Sequence, residues 1–268
     1  MFESMLHVSV MVQLLFAFDE RPRVLREVHH RLEQHFGPQG PFLLLDPVSQ
    51  LVMALIGVRT PSAVTKAAFE ALWLDFGAWE SVRDAPVAAI RRTIAAVTYP
   101  EVKAPQLKAT LGIITDTRGC LDLDNLEEAT VPEALAWLEQ LPGVGRKVAA
   151  ATLNFSSLRK AVLVIDTHHL RVLRRLGLVP SLASLNRAHE GVTVFLPFDW
   201  TADDLDEHHQ LMKQLGQTCC RHREPLCGGC PVANLCATAK GLTQHGRHAP
   251  SPSGESGHRR GPDLSRDL

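Results

Sequence analysis

The stretch that most constrains this chain is Leu141-Pro-Gly-Val-Gly-Arg-Lys147-Val-Ala-Ala-Ala-Thr-Leu-Asn-Phe155, followed by Ala161-Val-Leu-Val-Ile-Asp166-Thr-His168. Gly143 and Gly145 flank one residue between two helical patterns, a spacing that suits a tight hairpin needing positive φ and leaving backbone N–H groups uncovered. A helix starting there presents unsatisfied donors and the positive end of its dipole in the same direction, which makes Gly143, Val144, Gly145 and Arg146 candidates to hold a phosphate. Lys147 falls in the first turn. The positive local potential and any desolvation disfavour its ammonium and move it toward a neutral amine nucleophile.

Asp166 follows the apolar run 161–165 and opens a further helical pattern, Thr167 to Leu176. Taken alone it reads equally well as an N-cap. Paired with a lysine at a phosphate-binding helix start, it reads as the charge partner of an amine nucleophile, the chemistry of a Schiff-base enzyme acting on nucleic acid.

Near the C-terminus Cys220, Cys227, Cys230 and Cys236 make C-x6-C-x2-C-x5-C, with Cys219 adjacent and Cys120 isolated. So dense a group points to metal in a reducing compartment more than to a disulfide scaffold. Spacing alone leaves zinc and an iron–sulfur cluster both open, because structural zinc sites more often bring two C-x2-C pairs and here there is one. Cys219 is taken as a non-ligand. The loop between the first two ligands carries Arg221 and Arg223, which metal binding would fix as phosphate contacts.

The rest of the chain reads as helical. Amphipathic patterns are expected at 22–36, from Asp46-Pro47 to about 56, from Thr60-Pro61 to about 76, and at about 86–96, 101–115 and 131–140. After Asp166 they continue at about 168–176, 183–195 and 202–217, and only 161–165 shows strand-like alternation. The expected class is all-α, with antiparallel neighbours joined by short loops. A formal net charge of −1 does not advertise a polyanion partner, so local basic pairs such as Arg91-Arg92, Arg146-Lys147, Arg159-Lys160 and Arg174-Arg175 would have to do so. Residues 5–17 are apolar, but Glu3 replaces a basic flank and the run is too short to span a bilayer, so they read as a packing segment in a cytoplasmic protein. From roughly 243 onward Gly, Pro, Ser, His and Arg dominate, as in a disordered tail.

At Leu-Pro-Gly-Val-Gly-Arg-Lys, Asp-Thr-His and the cysteine group, over roughly residues 22–240, the sequence resembles the endonuclease III family of helix-hairpin-helix DNA glycosylases. The resemblance implies two helical lobes around a DNA-binding cleft: a helical barrel at 42–155 with the hairpin, and an iron–sulfur lobe from 22–41 and 156–240. These would be flanked by an extension at 1–21 and a tail at 241–268. It implies a [4Fe-4S] cluster on Cys220, Cys227, Cys230 and Cys236. It further implies a monomer that works on double-stranded DNA carrying damaged bases or abasic sites. Lys147 would attack the sugar C1′ and Asp166 would support it, so that base excision ends in strand cleavage, with oxidised pyrimidines as the expected lesions. Lys147 separates the chain from the adenine-glycosylase branch, which lacks a lysine there.

The pattern is broken in two loops. Ile56-Gly57-Val58-Arg59-Thr60 stands where many relatives carry a Ser-Ala-Gln-Ala-Thr-like stretch, with Val58 in place of the gap-filling Gln. Val97-Thr98-Tyr99-Pro100 replaces a Gly-Leu-Tyr-Asn wedge and is one residue longer before Lys103-Ala104. Both changes touch base extrusion and favour retained lyase chemistry with a weaker or shifted lesion preference. A catalytically weak DNA-binding or redox-sensing homologue, or a mismatch or other-lesion glycosylase of the same fold, is the competing reading. His208-His209, on a helix rich in Asp and Glu, reads as a surface or packing pair, and His168 as a DNA-binding residue near the site.

Overall fold

The computed structural model describes residues 19–244, which leaves the apolar segment 5–17 and the expected tail beyond 244 outside the described residues. The helices are α1 (Arg21–Phe36), α2 (Pro47–Ile56), α3 (Ser62–Phe76), α4 (Trp79–Asp84), α5 (Val87–Thr93), α6 (Pro100–Arg118), α7 (Val131–Leu138), α8 (Arg146–Asn154), α9 (Thr167–Leu176), α10 (Leu185–Thr193), α11 (Ala202–Thr218) and α12 (Ala237–Gln244). α4 has no counterpart in the sequence reading, because six residues are too few to show a helical period. α12 carries the chain past the boundary expected at 240, since the Gly/Pro-rich composition begins only after it.

Local chemistry fixes many of the starts. Asp46 accepts the Ser49 N–H at 2.9 Å, and Pro47 takes the first helical position, where no N–H is needed. Pro61, expected at that position of α3, is instead the residue before it. Thr130 with Glu133 and Thr201 with Asp204 form reciprocal capping boxes at α7 and α11.

Two apolar cores result. One gathers residues between Val48 and Val164, including Leu51, Leu72, Ile90, Leu111 and Leu153. The other gathers Leu25, Val28 and Leu32 of α1 with residues from Leu163 to Val232, including Leu173, Phe195 and Leu215. The segment 161–165 lies at their seam. Val162 and Val164 enter the first core, while Leu163 and Ile165 enter the second. Its alternation is therefore not that of a strand: among the described residues β pairing is confined to an isolated bridge between Leu45 and Ser156. A single extended chain between two apolar bodies buries both faces and produces the same period of two.

Candidate active site at the seam of two cores

The hairpin forms between α7 and α8. Gly143 has φ 78°, and a side chain there would meet Gln106 Oε1 at 2.6 Å, so α6 presses on it from behind. Thr110 on α6 donates to the Pro142 carbonyl at 2.9 Å and fixes the turn. Gly145 does not need positive φ: it is extended (φ −101°, ψ 178°), and a Cβ there would meet no atom within 4 Å, so nothing inside the protein demands a glycine at this position. α8 thus starts without a capping side chain, leaving its first N–H groups open to an anion. Val144 is buried, so only its backbone can face a ligand.

Arg146 departs from the expected role. Its guanidinium pairs with the Glu139 carboxylate, reaching Oε2 at 3.2 Å, and its Nη1 lies 3.4 Å from His189 Nδ1. The side chain braces α8 against α7 and α10, and the N–H is what it leaves for a phosphate. Arg159 and Lys160 are likewise engaged. Arg159 binds Asp203 and, at 2.9 Å, Asp206, while Lys160 donates to the Ala129 carbonyl at 2.9 Å. Arg91 and Arg92 remain exposed.

Lys147 sits in the first turn of α8, and its pKa is lowered. Burial is the main cause; the Asp166 carboxylate works the other way, and Lys213 adds to the lowering. Asp166 caps α9, accepting the His169 N–H at 2.8 Å. Burial opposes its charge, but His209 and that N–H outweigh it and hold the carboxyl below its usual range. Asp166 thus caps α9 and also carries the charge that acts on Lys147. The constellation holds an amine whose pKa burial lowers, a carboxylate held below its usual range, and a helix terminus with free donors.

His208 and His209 are buried and belong to packing, not to the surface. His209 Nδ1 lies 2.7 Å from the Val164 carbonyl, and burial holds its ring neutral with a pKa of about 4. His168 is half-buried, with Nδ1 3.1 Å from Arg171 Nη2.

Cys220, Cys227, Cys230 and Cys236 line one cavity with Arg175 and Leu176, and Cys219 reaches it too. None is in a disulfide. Among the described residues no group of three or more His, Cys, Asp or Glu side chains is gathered to hold a metal ion. Burial pushes the Cys230 thiol up to about 11, so a thiolate there needs a positive counter-charge. Two arginines anchor this segment from α9: Arg171, to which the sequence draws no attention, and Arg175, which it offers only as half of a basic pair. Arg171 donates to the Cys220 carbonyl at 2.8 Å and the Gly216 carbonyl at 2.6 Å. Arg175 donates to the carbonyls of Arg221 at 2.6 Å and His222 at 2.8 Å. Arg221 and Arg223 themselves are exposed, and their loop is held in place by these bonds.

The fold is that of the helix-hairpin-helix DNA glycosylases. The chain superposes on a solved non-covalent endonuclease III–DNA complex with a TM-score of 0.69 at 19% identity, covering 83% of this chain and 98% of that one. In sequence it is 36% identical to endonuclease III of Escherichia coli K12 over 124 residues, which is 46% of this chain and 54% of that protein. It is also 37% identical to the adenine DNA glycosylase of Mycobacterium tuberculosis H37Rv over 134 residues, 49% of this chain and 40% of that protein. The chain therefore spans about half the length of the curated relatives it matches, and no protein-family model matches it. In fold it is like the endonuclease III structures, and over about half its length its sequence is similar to endonuclease III.

Proposed function

We propose that the protein is a base-excision DNA glycosylase and abasic-site lyase whose nucleophile is Lys147. The observation that carries this reading is the lysine itself: an amine of lowered pKa in the first turn of an uncapped helix, beside the charged Asp166. The Lys147 amine attacks C1′ of an extruded nucleotide, giving up a proton as the C1′–N bond breaks and the base departs. The C1′–O4′ bond then opens, O4′ taking a proton, to leave a Schiff base, and loss of a C2′ proton expels the 3′ phosphate and cuts the strand. Asp166 supports the charge that develops on the amine and sugar. The free N–H groups at the start of α8 hold a backbone phosphate, and exposed Arg221 and Arg223 hold another. Duplex DNA is the partner, the protein works as a monomer in the cytoplasm, and no helix among the described residues is long and apolar enough to cross a membrane.

The same reading gives Cys220, Cys227, Cys230 and Cys236 a [4Fe-4S] cluster; it is supported by the four thiols lining one small, largely apolar space, although they are not drawn together as a ligand group. When bound, the cluster supplies structural cross-linking of the loop that bears Arg221 and Arg223. The substrate class proposed is oxidised pyrimidine, with a preference shifted by exposed Val58.

The test is borohydride trapping on duplexes carrying thymine glycol or an abasic site. A covalent complex on both, abolished in Lys147→Gln, is expected, and Asp166→Asn should slow turnover roughly 100-fold while leaving DNA binding in place. Trapping on the abasic duplex alone would replace thymine glycol with another lesion. No trapping on either would favour a DNA-binding role.

A further inference from the structure

Lys103 is a buried cation that the proposed chemistry leaves unused. α6 places it on the face that also buries Leu107, Thr110, Leu111 and Ile114, where an apolar residue is the ordinary occupant, and it is only 5% exposed. Its Nζ donates to the Ile56 carbonyl at 2.7 Å, the Val58 carbonyl at 2.6 Å and Thr60 Oγ1 at 2.9 Å. An ammonium has three donors and all are used. Ile56 closes α2, so its carbonyl belongs to the negative end of that helix and suits a cation.

Thr60 passes the connection on. Its hydroxyl accepts the Thr98 N–H at 3.1 Å, and Thr98 Oγ1 donates to the Arg59 carbonyl at 2.9 Å. The segments 56–60 and 97–100 are thereby one hydrogen-bonded unit with Lys103 at its base. Each carries an exposed non-glycine residue in the left-handed region, Arg59 at φ 55° and Tyr99 at φ 59°. Such backbone persists only where its surroundings over-determine it, and the Lys103 and Thr98 bonds do so. α2, whose end Lys103 holds, packs against α8 as well as α6. The two ammonium groups also sense each other. After burial, the charge of Lys147 is what lowers the Lys103 pKa, to about 8, and such coupling is mutual.

We propose that Lys103 is a positioning residue for the reaction at Lys147, binding the segments 56–60 and 97–100 into one rim beside the amine and setting a second positive charge against it. The proposal rests on the lyase reading given above. The groups that face Lys147 are Asp166 at the start of α9, His209 and Lys213 on α11, and Lys103 on α6. Asp166 favours its ammonium, Lys213 disfavours it, the repulsion that lowers the Lys103 pKa acts on it in the same sense, and His209 is neutral near pH 7.

The experiment uses the full chain and two variants, Lys103→Met, which removes charge and donors at similar length, and Lys103→Arg, which keeps the charge. Single-turnover cleavage of an abasic duplex is followed against pH, together with Kd for a duplex carrying a tetrahydrofuran abasic analogue. In Lys103→Met the pH midpoint of cleavage should rise by roughly half a unit and binding should weaken about tenfold. Lys103→Arg should restore the midpoint. A merely structural role would move Kd and the melting temperature but not the midpoint, so a folded Lys103→Met with an unchanged midpoint overturns the proposal. Should that variant fail to fold, Thr60→Val cuts the link between the segments while keeping both ammonium groups. Weaker binding with an unmoved midpoint is then expected, and unchanged binding overturns the rim. Wild-type protein that cleaves nothing, like Lys147→Gln, overturns the lyase reading instead, and the binding measurements still decide whether Lys103 builds the rim.

Discussion

The core gathered between Val48 and Val164 and the core gathered around Leu25 and Leu215 solve the burial problem with different residues. The first comes from one continuous stretch of chain, and its buried polar groups find hydrogen-bond partners both near and far along it. Trp79 Nε1 donates to Ser49 at 2.8 Å and Thr152 donates to the Val148 carbonyl at 3.0 Å. The second is assembled from two separated stretches and buries His169, His208 and His209, while Asp206 is held by Arg159. Its far end is the cysteine segment, tied down by Arg171 and Arg175. The first core meets its buried polar groups by hydrogen bonds, Lys103 among them; the second also buries several neutral histidines and carries the cysteine segment at its edge. Because Lys147 comes from a helix of the first and Asp166 from the entrance to the second, the candidate site exists only while both are folded.

The largest break in this comparison is expected from Cys230→Ser. Serine is a hard, poor ligand for iron, so the variant should lose the brown chromophore expected of the proposed cluster, and the second core should lose several kcal/mol of support. Near-ultraviolet circular dichroism and absorbance near the visible edge read both effects. A variant that melts like the wild type would show that arginine bonds, not the cysteines, organise this end.

Acid is the next largest. Burial lowers the pKa of His169 to about 3 and of His189 and His209 to about 4. Unfolded histidine titrates near 6.5, so these rings are neutral when folded and protonated when released. Their contribution is therefore fully present above about pH 6.5 and is lost as pH falls toward 4, at up to about 1.4 kcal/mol per histidine for each pH unit. Urea unfolding read by Trp200, whose ring lies 4.9 Å from His208, should weaken below neutrality more than unfolding read by Trp79 of the first core. Parallel loss by both probes would mean that the cores unfold together.

The same contrast explains what could be read from the sequence. The hairpin, Lys147, the Asp166 cap and the cysteine spacing are short-range patterns whose geometry is set within a turn or two. Lys103 is legible only through partners 43 to 47 residues away, so its run of sequence says no more than that a lysine interrupts an apolar face. His208 and His209 are hidden among the acids of α11, yet they share the buried spacing of Leu205, Leu211, Met212 and Leu215, a signal that could have found them. Arg146 was read from its position beside the hairpin, whereas its side chain answers to Glu139 and His189, which local sequence does not weigh. The strand-like run 161–165 misled because alternation reports two buried faces and not what buries them.

The smallest expected effect is also the sharpest test of whether the cores are separate. Each has the same device at a helix start: Thr130 with Glu133 at α7, and Thr201 with Asp204 at α11. In the first the Thr130 N–H donates to Glu133 Oε2 at 3.0 Å, and in the second the Thr201 N–H donates to Asp204 Oδ2 at 2.7 Å. Replacing either threonine by alanine removes the reciprocal bond to the third helical residue and should cost about 1 kcal/mol, a shift of roughly 2–4 °C in Tm for a chain of this size. At neutral pH, where the histidines support the second core, both variants should lower one shared transition equally. At acid pH the prediction divides: Thr201→Ala should move the transition seen by Trp200 and spare that seen by Trp79, with Thr130→Ala doing the reverse. Equal shifts in both probes at both pH values would make the protein one cooperative unit, and the difference between the cores would then be one of composition, not of stability.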